Sequence, residues 1–166
     1  MKIVINRSDA IGDTLLTLPM AKKLKKHFSN CHVTFIVSPK TVPILKNNPI
    51  VDNYWVYDKQ VSTLKNIIDF RDKFSKEKID TYLFVGGSHL PSLAALMAGI
   101  HYRGGLLNKW QTFFLLNKGV RQRRSLVEMH ESEYNIGLLQ PLGVDYHYSE
   151  KENCAPEITL REEEKQ

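Results

Sequence analysis

Three apolar runs constrain the fold of this chain more than any other feature. They are Ile3-Val4-Ile5, His32 to Val37 (His-Val-Thr-Phe-Ile-Val) and Thr81 to Val85 (Thr-Tyr-Leu-Phe-Val). A strand with one wet face alternates apolar and polar residues. A strand covered on both faces does not, and these runs do not alternate regularly. Helical patterns separate them. Leu16, Met20, Leu24 and Phe28 recur every four residues, with Lys22, Lys23, Lys25 and Lys26 on the other side. Pro19 fits such a helix only in its first turn or at a kink.

The alternation continues along the chain. Ser38-Pro39-Lys40 opens a short helix, and Asn47-Asn48-Pro49 stops it. Asn53 to Tyr57 reads as a strand, Val61 to Phe74 as a helix and Ser92 to Ala98 as a helix. His101-Tyr102-Arg103 reads as a short edge strand, and Trp110 to Leu116 as a helix. A final helix is expected over Leu126 to Leu142, with Leu126, His130, Tyr134 and Leu138 on one apolar stripe. This makes His130 a satisfied core histidine. Strands alternating with helices predict an α/β fold, a Rossmann-like doubly wound parallel sheet. Residues 1–148 form one domain. Residues 149–166 form a polar tail without periodicity.

Composition narrows the function classes. At 166 residues the chain can bury roughly 70% of its unfolded surface without staples. Cys31 and Cys154 have no metal-ligand spacing, which excludes a disulfide scaffold and a CxxC zinc site. No apolar run nears the roughly 20 residues of a membrane span, and the N-terminus lacks a signal-peptide pattern. A cytoplasmic protein is expected. The formal net charge is +5, and residues 1–50 hold eight Lys/Arg against two Asp/Glu. This suits an anionic partner, although solvated lysines give the same balance.

In open α/β sheets ligands bind beyond the carboxyl ends of the strands. Two turn segments fall there. Ser8 to Asp13 is neither a GxGxxG fingerprint nor a Walker A loop, so no nicotinamide, flavin or other cofactor is expected. It offers Gly12 and then Asp13 at a helix start, where an Asp commonly caps. Gly86-Gly87-Ser88 lets a backbone approach a ligand closely, and Ser88 suits a cap or a sugar hydroxyl. Arg121, Arg123 and Arg124 crowd the approach to the last helix. They suit phosphate, and they oppose the dipole of a helix starting there. No serine sits in a G-x-S-x-G elbow and no metal cluster is seen.

The loop Arg7-Ser8-Asp9-Ala10-Ile11-Gly12-Asp13-Thr14-Leu15-Leu16-Thr17-Leu18-Pro19, after the first strand, resembles the opening of glycosyltransferase family 9. This is the family of the ADP-heptose:lipopolysaccharide heptosyltransferases. The strand Val33 to Val37, the strand Asp80 to Val85 before a small-residue turn, and Pro141-Leu142-Gly143-Val144 are similar too. The resemblance implies the N-terminal half of a GT-B enzyme. It implies a heptosyltransferase-like, inverting and metal-independent transfer to a lipopolysaccharide inner-core acceptor. Asp13 would be the general base. Gly12, Gly86, Gly87, Ser88, Arg121, Arg123 and Arg124 would bind substrate. The C-terminal domain that binds the nucleotide-sugar donor would be a missing partner, with the tail as a truncated linker. The chain alone is then expected to transfer little or no sugar. Peripheral contact with the inner face of the inner membrane goes with this reading. The alternative is a non-catalytic α/β module that binds anionic glycolipid or a partner domain. A nucleic-acid binder ranks last, since no recognised motif supports it.

Overall fold

The structure is a computed structural model that describes residues 1–126 and 128–144. The expected tail, 149–166, and Cys154 lie outside the described residues. Six parallel strands form one sheet: β1 (Lys2–Arg7), β2 (His32–Val37), β3 (Asn53–Val56), β4 (Thr81–Gly86), β5 (Tyr102–Leu106) and β6 (Lys118–Val120). Their order is β3-β2-β1-β4-β5-β6. Among the described residues seven α-helices accompany them, the last after β6: α1 (Ile11–Leu15), α2 (Leu18–His27), α3 (Val42–Leu45), α4 (Thr63–Glu77), α5 (Leu90–Met97), α6 (Trp110–Leu115) and α7 (Glu131–Gly137). The strand order reverses direction between β1 and β4, so that junction is the switch point of a doubly wound sheet.

Both faces of the sheet are covered, which is why the strands read as unbroken apolar runs. On one face Ile3, Ile5, Val33, Phe35 and Leu83 pack under Leu24 of α2, Leu45 of α3 and Ile136 of α7. On the other, Val4, Ile36, Tyr82 and Phe84 pack under Phe70 and Phe74 of α4 and Ala94 and Ala95 of α5. Neighbours along one strand therefore point into two different cores.

The lysine-rich helix is interrupted. α1 ends at Leu15, and α2 restarts at Leu18 with Pro19 in its first turn. There the missing proline N–H costs no helical bond. Met20 N–H turns to the Thr17 carbonyl at 3.1 Å, which frees the Leu16 carbonyl. Asn135 Nδ2 of α7 donates to that carbonyl at 3.0 Å. The break is thus satisfied by a buried side chain 119 residues away.

Asp52 ties β2 to α2 ahead of β3. Its Oδ2 accepts from Val33 N–H and its Oδ1 from Lys25 Nζ, both at 2.7 Å. Burial pushes the carboxyl up, but the Lys25 and Val33 bonds outweigh it and hold it below the usual range. Such a group stabilises fully above its unfolded pKa of about 4, and the contribution is lost as pH falls through the folded value. Asp52→Ala should cost about 1–2 kcal/mol at neutral pH. Urea titrations should show that difference shrinking below about pH 4. A difference independent of pH would assign the loss to packing instead.

Three expectations are corrected. His101-Tyr102-Arg103 is not a short edge strand. β5 runs over Tyr102–Leu106 and lies inside the sheet, because β6 pairs beyond it. β6 is only three residues long with Gly119 at its centre, too short for a periodic signal. The Leu126–Leu142 helix is also not continuous. It divides into a 3-10 turn at Arg124–Leu126, α7, and a 3-10 turn at Gln140–Leu142. His130 is exposed, not in the core. Its Nδ1 accepts from Ser132 N–H at 3.3 Å, while its own N–H donates to Glu133 Oε2 at 2.7 Å. That reciprocal capping box starts α7 at Glu131.

Candidate functional site

The end of β1 and the loop after it sit at the switch point, where β4 also ends. Arg7 closes β1 and is 6% exposed. A buried guanidinium needs paired charge, and three carboxylates converge on it. Its Nη2 lies 2.9 Å from Asp13 Oδ1 and 3.7 Å from Glu131 Oε1. Its Nη1 donates to the Val85 carbonyl of β4 at 3.1 Å. Its Nε lies 3.1 Å from Asp9 Oδ1. That N–H does not point along the contact, so both atoms lack a formal hydrogen bond and the pair is held by charge. Arg124 closes the network with a short ion pair to Glu131 and a 2.9 Å bond from its Nε to Gln122 Oε1.

The cluster therefore joins two guanidinium groups to three carboxylates. Burial, with Asp13 and Glu131 adding to it, raises the Asp9 carboxyl above its ordinary range against the pull of Arg7. Burial also lowers Arg124, with Glu131 opposing. Among the described residues, no group of three or more His, Cys, Asp or Glu side chains is placed to hold a metal ion.

Asp13 occupies the third position of α1, not the N-cap, which is Ala10. Its side chain is 36% exposed. One carboxylate oxygen is fixed by Arg7, and the group still reaches solvent. Beyond its chain neighbours and its own helix backbone, a Cβ added at Gly12 would meet nothing within 4 Å. The freedom of the glycine pair is used inside the protein. A Cβ on Gly86 would fall 2.7 Å from Arg7 Nη1, and one on Gly87, where φ is +87°, 2.5 Å from Ser8 Oγ. Ser88 takes part in the same turn. Its N–H donates to Ser8 Oγ at 3.1 Å, and its Oγ accepts from Leu90 N–H at 3.3 Å at the start of α5.

The arginine cluster is split by the fold. Arg124 is locked into the network below Asp13 and lies 5.6 Å from the Tyr134 ring. Arg123 is exposed, and Arg121 lies over Phe113 at 4.9 Å. None of the three opens α7, which starts at Glu131, so they do not oppose its dipole. Glu131 and Glu133 occupy its first turn instead, in favour of the dipole. Sequence reading missed Arg7, Asp9 and Glu131 as site residues. The available signal was a lone arginine ending a fully buried run.

A cleft of about 530 Å³ opens beside this network along the carboxyl ends of β1, β2 and β3. Ser8, Asp9, Ser38, Lys40, Tyr57 and Lys59 line it. It is polar and carries two lysines and two carboxylates, Asp9 and Asp58, a lining that suits a hydroxylated ligand.

No family model matches the chain. A putative glycosyltransferase of Haemophilus influenzae is 28% identical over 143 residues, which cover 84% of this chain and 40% of that protein. Lipopolysaccharide heptosyltransferase 3 of Escherichia coli K12 is 22% identical over 143 residues, covering 84% of this chain and 42% of that protein. Among solved structures, a glycosyl transferase of family 9 from Veillonella parvula has a TM-score of 0.79 at 22% identity, covering 98% of this chain and 46% of that one. ADP-heptose lps heptosyltransferase II of E. coli has a TM-score of 0.72 at 19% identity, covering 98% of this chain and 48% of that one. The chain thus spans less than half the length of these relatives. It is similar in sequence to proteins named as glycosyltransferases and has the fold of one half of a glycosyltransferase family 9 structure.

Proposed function

We propose that the chain is the N-terminal, acceptor-side half of a heptosyltransferase-like enzyme of lipopolysaccharide core synthesis. The observation that carries this reading is Asp13, oriented by buried Arg7 yet open to solvent at the switch point. An acceptor hydroxyl is a poor nucleophile at neutral pH, and a positioned carboxylate helps by taking its proton. In an inverting transfer the hydroxyl oxygen attacks the anomeric carbon as the bond to the nucleotide phosphate breaks. The proton goes to Asp13, and the nucleoside diphosphate leaves with the electron pair. Gly12 places no side chain of its own beside Asp13. The cleft, with Ser8, Ser38, Asp58 and Gln60 beside Lys40 and Lys59, suits the hydroxyl groups of a saccharide.

We assign donor binding to another domain, because the similar glycosyltransferases are more than twice as long as this chain. In a radiolabelled ADP-heptose assay with inner-core acceptor, the chain alone should give no product. Supplied with a donor-binding half, covalently or by co-expression, it should give product. Turnover by the chain alone would refute the division of labour. No turnover with any donor half from the similar heptosyltransferases would refute the acceptor role.

A further inference from the structure

α7 reaches Asp13 from two sides. Glu131 and Asn135 stand at i and i+4 and share one face of that helix. Glu131 Oε1 lies 3.7 Å from Arg7 Nη2, the same nitrogen that faces Asp13 Oδ1. Asn135, fully buried, serves the other end of the residue. At the break between α1 and α2, Thr17 N–H turns to the Thr14 carbonyl at 3.0 Å. The Asp13 carbonyl loses that helical partner, and the Thr17 hydroxyl donates to it instead at 2.8 Å. Asn135 Nδ2 donates to the Thr17 hydroxyl oxygen at 3.3 Å and to the Leu16 carbonyl at 3.0 Å. One helix face thus holds the carboxylate of Asp13 through Arg7 and its main chain through Thr17.

Partners fix the orientation of the Asn135 amide. The Leu16 carbonyl only accepts, so the NH2 end must face it. The amide oxygen is left buried with no hydrogen-bond partner. A buried acceptor without a partner costs stability. Both N–H groups are directed at the α1–α2 break, which is a role in orientation more than in packing. We propose that Asn135 is a positioning residue for the proton transfer. Through the Thr17 hydroxyl it fixes the backbone of Asp13, while Glu131 steadies the side chain through Arg7. This rests on the reading of Asp13 as the base and adds the device that aims it.

A reacting group misplaced by about 1 Å can cost about 100-fold in rate. In the chain supplied with a donor-binding half, Thr17→Val and Asn135→Leu should each lower kcat about ten- to a hundredfold, with the KM for acceptor within about twofold. Thr17→Ser keeps the hydroxyl and should restore the parent rate. A double-mutant cycle separates aiming from folding. Added to Asp13→Asn, neither Thr17→Val nor Asn135→Leu should cause a further loss, because the group they aim is gone. Rates are compared well below the unfolding midpoint of each variant. If Asn135→Leu fails to fold, Thr17→Val carries the test, since valine matches threonine in shape. Full, independent losses in the Asp13→Asn background would overturn the proposal. So would a parental kcat in Thr17→Val, or a Thr17→Ser rate as low as that of Thr17→Val. A parental rate in Asp13→Asn would instead remove the base itself, and the positioning role with it.

Discussion

Asp13→Asn, in the chain supplied with a donor-binding half, is expected to lower kcat about 10²–10⁴-fold, with little change in the KM for acceptor. Asparagine keeps the shape and one oxygen to accept from Arg7 Nη2, now 2.9 Å from Asp13 Oδ1. It loses the negative charge and with it the capacity to take a proton. The fold should not suffer. The network holds two guanidinium groups against three carboxylates, so removing one negative charge brings it to neutrality. Thermal and urea unfolding of the variant should therefore match the parent within about 1 kcal/mol. The check is initial-rate kinetics beside an unfolding curve. A rate within a few-fold of the parent would remove Asp13 from the proton transfer. A rate lost together with stability would make it a structural residue.

Arg7→Met is the change with the largest expected effect on stability. It leaves Asp9, Asp13 and Glu131 facing one another around an apolar side chain. Breaking a buried pair by removing one partner costs about 3–5 kcal/mol. The three carboxylates are each about one-third exposed, so water screens part of the repulsion and the lower end, about 3 kcal/mol, applies. Arg7→Lys should lose less. It keeps the charge but not the fork that reaches the Val85 carbonyl and Asp13 together. Guanidinium unfolding should show a lower midpoint at an unchanged slope. A loss below about 1 kcal/mol for Arg7→Met would mean that the carboxylates do not depend on this cation.

The sheet was legible because its physics is local. Ile3-Val4-Ile5 needs only its own composition to declare burial on both faces. Asp13 was legible as a carboxylate after a glycine at a helix start, although it sits inside the first turn and not at the cap. Arg7 was not legible. Its partners come from residues 9, 13 and 131, and the one local hint, an arginine ending a buried run, does not say which carboxylates meet it. His130 was misread for a related reason. Leu126, His130, Tyr134 and Leu138 fall at a four-residue spacing that imitates one helical stripe. The start signal for a separate helix was present in Glu133, three residues after His130, but a histidine is a less usual cap than serine or aspartate.

The central position of β1 bears on how the protein is made. Its Ile3 is in register with Val33 on one side and with Thr81 on the other. During synthesis β1 thus gains its second neighbour only after some eighty residues have followed it. Until then one edge of an apolar, β-branched segment carries unpaired N–H and C=O groups. Closing so long a loop is slow, and during synthesis that open edge is a target for chaperones and for aggregation.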